Sequence, residues 1–233
     1  MTTPQLKHLP ALALGILSIT ATAQAQLITT IPDLPPAGGV YKNPGIFAIY
    51  GNPALTFILS LPDYTPNASG VTRSPGGAGH PGTPADENEA FGSDLDALAE
   101  VIQFGVSSGI FPVHASGPST TLTLAKIGHT TGTFDTEMLE MSLSGVSPLG
   151  PFMIRESPTK VSTGKTTIAD IGGGLYQIDS FFDVFTELST DGGQNWLPAT
   201  SGAGHLALVP EPASMSLLVL GAVSMAGFVR RRR

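Results

Sequence analysis

Period-two alternation is the feature that most tightly limits what this chain can become. Leu139, Met141 and Leu143 alternate with Glu140, Ser142 and Ser144, and Phe182, Val184, Thr186 and Leu188 alternate with Asp183, Phe185 and Glu187. Successive side chains of a strand point to opposite faces, so each segment reads as a strand with one face buried and one wet. Similar apolar runs cover residues 46–50, 55–61, 119–126, 152–156 and 205–209. Glycine and proline, 28 and 20 of the 233 residues, fall between them as turn formers. Many short strands at close spacing, with no internal repeat, predict a mainly β body: an antiparallel β-sandwich or jelly-roll-like fold with at most one short helix.

That helix is predicted where the period changes. Leu95, Leu98, Ala99 and Ile102 fall at helical spacing over residues 93–103, behind Ser93 as a cap and with Asp94 and Asp96 in the first turn. A strand over residues 101–106 is the competing reading. Upstream, residues 62–89 are rich in proline and glycine and read as a long exposed loop.

The two ends describe a route. Lys7 and His8 precede an apolar stretch over residues 9–19, and Ala23 and Ala25 have the spacing that a signal peptidase reads, which predicts a signal peptide over residues 1–25. At the other end Pro210, Glu211 and Pro212 are followed by uncharged residues 213–229 and then by Arg230, Arg231, Arg232 and Arg233. At about 1.5 Å per residue the uncharged stretch spans roughly 26 Å, a short transmembrane helix. Four arginines hold their end on the cytoplasmic side and place the body outside. The prolines favour an extended, accessible tripeptide just outside the membrane.

Tripeptide, apolar helix and arginine cluster, in that order, resemble the PEP-CTERM sorting signal of exported bacterial proteins. The resemblance implies recognition of Pro210, Glu211 and Pro212 by an exosortase-like transpeptidase, after passage through the inner membrane. It further implies delivery to the cell surface or extracellular matrix and association with extracellular polysaccharide. The chain then divides into a signal peptide over 1–25, a body over 26–208 and a sorting signal over 209–233. A tail that is never cut would instead leave a permanently anchored single-pass protein. Residues 155–196 resemble bodies that precede this signal in other chains, and that likeness brings no catalytic residue with it.

The body's chemistry is read mostly by exclusion. Between residues 26 and 209, six basic residues stand against 17 acidic ones, a net charge of −11 that argues against nucleic acid as a partner. The chain has no cysteine, hence no disulfide, thiol nucleophile or thiolate metal site. Asp86, Glu87, Glu89, Asp94 and Asp96 offer the hard oxygens that calcium prefers. Phe91 and Ala97, however, stand where an EF-hand needs glycine and glutamate, so a solvated acidic loop and no cofactor are expected. His80, His114, His129 and His205 lack metal-ligand spacing. Gly164-Lys165-Thr166 has the ending of a phosphate loop, but Thr159 occupies the place of its earlier glycine.

The most specific local pattern is Ser189, Asp191, Gly193 and Trp196, which resembles the Asp-box turn of sialidases with Asn195 at the usual threonine. Its expected role is structural: aspartate caps backbone N–H groups, glycine permits positive φ and tryptophan packs beneath. A single copy argues against a propeller. The body is therefore expected to be non-enzymatic, with a secreted glycan-binding or glycan-active protein as the second reading.

Overall fold

The computed structural model describes residues 26–77 and 79–210. In chain order the strands are β1 (Leu27–Thr29), β2 (Gly39–Lys42), β3 (Ile46–Asn52), β4 (Leu55–Pro66), β5 (Thr72–Pro75), β6 (Glu87–Gln103) and β7 (Val106–Thr123). They continue with β8 (Gly132–Ser147), β9 (Gly150–Glu156), β10 (Ser162–Gly172), β11 (Leu175–Val184), β12 (Thr186–Ser189), β13 (Leu197–Pro198) and β14 (Gly204–Pro210). The only helical turn among the described residues is Ala68–Gly70, capped by the Asn67 side chain.

Eight strands close on themselves in the order β11–β14–β2–β4–β6–β7–β8–β10 and back to β11, antiparallel throughout. Closure removes the exposed edges that an open sandwich must protect. The expected sandwich or jelly roll is thus corrected to a barrel, while the mainly β class stands. What closes it is pairing between strands far apart in sequence: β10 lies between β11 and β8, and β14 between β11 and β2.

Four strands outrun that ring. β6 holds 17 residues, about 55 Å at the usual strand rise. With β4, β7 and β8 it continues into an upper lobe, where β3 replaces β2 beside β4 and β9 replaces β10 beside β8. The exchange on β4 happens at a bulge between Ser60 and Asp63, with Leu61 at φ 49°. β12 and β13 extend the upper sheet from β9, and a bridge from Ala199 to Tyr50 brings it round to β3. Where β7 and β8 coil tightly at this waist, only glycine fits. A Cβ on Gly117 would lie 2.0 Å from the Ser142 carbonyl oxygen, and one on Gly145 2.2 Å from that of His114.

The helix expected over residues 93–103 is strand β6. Its odd positions, Phe91, Leu95, Ala97 and Val101, are buried, and β4 and β7 pair with it on either side. Ser93 caps nothing; it points into the barrel and hydrogen-bonds Ser119 at 2.7 Å. Leu98 and Ile102 are half-buried on the other face, so the upper part of β6 is apolar on both sides and mimics a helical stripe. The expected loop over 62–89 also shrinks: β4 runs to Pro66, β5 pairs Arg73 with Glu89, and β6 begins at Glu87. The signal peptide over 1–25 and the helix over 213–229 lie outside the described residues, and no described helix is long and apolar enough to cross a membrane.

Candidate functional site

Inward-facing positions of β4, β6, β7 and β9 wall a cavity of about 370 Å³ in the upper lobe, open to solvent. Phe57, Leu59, Val101, Phe111, Phe152 and Ile154 supply much of its apolar surface. Gln103, Ser108 and Ser147 stand near the strand ends, and Glu100 accepts a hydrogen bond from Ser107 Oγ at 2.6 Å. Leu149 of the lining is exposed, and next to Gln103 the turn residue Phe104 is exposed to 77%; Ile110 and Val146, also exposed, alternate with the lining Phe111 and Ser147 and face outward. Such a volume lies at the small end of ligand sites. The sequence reading missed the cavity because its residues come from separate strands; the one local hint was an apolar turn, Phe104-Gly105-Val106.

The lower barrel is filled differently. Glu89 is fully buried and accepts hydrogen bonds from Thr121 Oγ1 at 3.0 Å and Thr123 Oγ1 at 2.9 Å. Burial lifts its carboxyl to about 8, against the opposing pull of those two hydroxyls. Tyr41 donates to Ser180, which also bonds Thr166. Burial pushes the Tyr41 phenol up and the Tyr64 phenol up to about 12. Tyr64 Oη and Thr136 Oγ1 have no hydrogen-bond partner among the described residues, and both line a void of about 10 Å³, the size of one water.

The acidic cluster is split by strand alternation and by the loop, except that Glu87 stays beside Glu89 and adds to the lift on its carboxyl. Asp86 accepts from the Thr83 and Ala125 N–H groups, which hold its carboxyl below the usual range. Glu89 faces inward, whereas Asp94 and Asp96 face outward beside His114. Among the described residues no group of three or more His, Asp or Glu is placed to hold a metal ion. His205 pairs with Asp183 at 2.7 Å on the outer face. His80 and His129 belong to backbone turns.

The Asp-box-like turn joins β12 to β13 beside the cavity, which Leu188 and Thr190 help to line. Asp191 Oδ1 accepts from Ser189 Oγ at 2.7 Å and from the N–H groups of Gln194 and Asn195 at 3.0 and 2.9 Å. Those bonds, the Asn195 N–H foremost, hold the Asp191 carboxyl down at about 2. Gly192 and Gly193 have φ of 76° and 86°. Trp196 Nε1 donates to the Gly193 carbonyl, and Arg155 stacks 3.9 Å from the Trp196 ring centre while forking onto Glu187. The Ser189 hydroxyl, the Asp191 carboxylate and the Trp196 indole N–H are thus all engaged within the turn.

Pro210 is the last described residue. It is half-buried in the barrel wall and pairs with Gly39 of β2, so the first residue of the tripeptide is part of β14 rather than a free extended segment. Glu211, Pro212, Arg230, Arg231, Arg232, Arg233, Ala23 and Ala25 lie outside the described residues. No curated protein and no solved structure matches the chain. Residues 208–233 match the model of the PEP-CTERM protein-sorting motif, so the strand that closes this barrel runs directly into the signal that marks an exported exosortase substrate.

Proposed function

We propose that this chain is a non-enzymatic surface or extracellular-matrix protein that an exosortase-like transpeptidase cuts near Pro210, Glu211 and Pro212. The inner membrane holds it transiently, and extracellular polysaccharide is the matrix partner. The observation that carries this reading is the overlap of β14 with the sorting motif: Val209 pairs with Val40 and Pro210 with Gly39, without a spacer between wall and signal. A cut before Pro210 would strip pairing from an internal strand, so the released barrel keeps Pro210. The engagement of Asp86, Glu89 and Asp191 in fixed hydrogen bonds supports a structural rather than catalytic use of these acids.

The test is intact mass of the protein from outer and inner fractions of its own cells, with and without the transpeptidase. The expected outer form ends at or just after Pro210, and full-length protein accumulates in the inner membrane without the enzyme. A tail retained in every fraction would overturn this reading in favour of permanent anchorage; an outer form ending before residue 208 would overturn the role given to β14.

A further inference from the structure

We propose that the upper cavity binds the aliphatic chain of an uncharged amphiphile about the size of dodecanol. The proposal holds whether or not the tail is cut. On the scale where an apolar cavity of about 150 Å³ takes benzene, one of about 370 Å³ takes roughly fifteen non-hydrogen atoms, and a barrel end of this width suits one small ligand. Its wall is mainly apolar, with the Gln103, Ser108 and Ser147 side chains near the strand ends to meet a hydroxyl head group.

Charge narrows the class. Among the described residues lining the cavity, Glu100 alone is charged, and the body as a whole carries −11. A carboxylate or phosphate head would sit against like charge, whereas a hydroxyl head would not.

The mouth supplies an independent observation. Gln103 pairs with Val106 across a two-residue turn, and its central residues, Phe104 and Gly105, have φ of 48° and 81°. Turns of this kind favour Asn, Asp or Gly at the first central position, because a side chain there crowds its own backbone. A phenylalanine that is 77% exposed serves neither the turn nor solubility. It adjoins Gln103 of the lining, and with the exposed Leu149, which lines the cavity itself, it forms a short apolar collar that draws a hydrocarbon chain from water towards the wall. Pro210 lies at the opposite end of the long strands, away from the mouth.

The experiment uses the full chain in membrane vesicles from expressing cells, with dodecanol carrying an alkyl diazirine as the photoreactive probe. After irradiation, labelled peptides are mapped by mass spectrometry. The label is expected on upper-lobe peptides of β6, β7 and β9, and dodecanol should displace it about tenfold more effectively than dodecanoate. Ala99→Phe, which places a ring in the open volume, should cut upper-lobe labelling about tenfold. Glu100→Gln should make dodecanoate as effective a competitor as dodecanol. Phe104→Asn should weaken labelling while raising the melting temperature, so it decides the matter even if Ala99→Phe does not fold. Label confined to the lower lobe or to residues 211–233, equal competition by dodecanoate in the parent chain, or collar-to-collar cross-links between two copies would each overturn the proposal.

Discussion

The lower barrel closes over a mixed interior, in which Phe91, Met138 and Phe182 pack around hydroxyls, phenols and a carboxyl, whereas the upper lobe is walled mainly by apolar side chains and stays open. The same four strands, β4, β6, β7 and β8, run through both. Below the waist, β2, β14, β11 and β10 complete a ring that encloses a void of about 10 Å³. Above it, β3, β9, β12 and β13 leave about 370 Å³. A closed interior can hold Glu89 because Thr121 and Thr123 are fixed opposite it; a half-satisfied network there would cost more than an apolar filling. An open lobe has water for its polar groups, so its apolar wall gains only when something covers it. Difference in closure, more than in composition, separates a part built for rigidity from a part built for occupancy.

The largest expected effect tests whether the lobes are independent at all. Gly117→Val places a side chain into the Ser142 carbonyl and should destabilise the whole protein by at least about 3 kcal/mol in urea titration. Because the strands are shared, fluorescence of Trp196 in the upper lobe and fluorotyrosine resonances of Tyr41 and Tyr64 in the lower should report one coincident transition. Two separated transitions would break the comparison into two domains.

Next in size is the pH dependence of the lower barrel. Glu89 holds its proton more tightly in the folded chain, at about 8, than in the unfolded chain, near 4.5. The Glu89 contribution to stability is therefore fully present below about 4.5, falls as pH rises through the window, and is lost above about 8. Glu156, which burial lifts to about 7, steepens the acidic half of that slope. Glu89→Gln should flatten most of the slope and gain on the order of 2 kcal/mol at alkaline pH. An unchanged slope would show that the buried carboxyl is not what distinguishes this lobe.

The smallest effect is local to the upper lobe. Asp191→Ala should speed amide exchange of Gln194 and Asn195 about tenfold or more, leaving lower-barrel amides unchanged. In the parent chain this protection is fully present above the ordinary aspartate value of 3.8 and is lost as pH falls through about 2. Spread of the effect below the waist would mean that the turn supports both lobes.

Local chemistry was legible without coordinates. The tripeptide, the arginines and the apolar stretch identify a sorting signal by order and composition alone, and the motif match covers the same residues. Alternation at Leu139, Met141 and Leu143 gave the mainly β class, since period two is a property of one strand by itself. Other features were decided by partners distant in sequence. β6 is a strand because β4 and β7 hydrogen-bond it on both sides, against the helical spacing of Leu95, Leu98, Ala99 and Ile102. Glu89 is buried because strand register turns it inward, and Pro210 joins the wall because Gly39 lies beside it. The cavity exists only where strands from β3 to β12 meet, so no single stretch of sequence carries it. The sorting signal, the β class and the residues of the Asp191 turn were set by neighbours within a few positions along the chain. Closure of the barrel and the contrast between its two interiors belonged to the tertiary structure, because hydrogen bonding between strands far apart in the chain decides which face of each strand meets which.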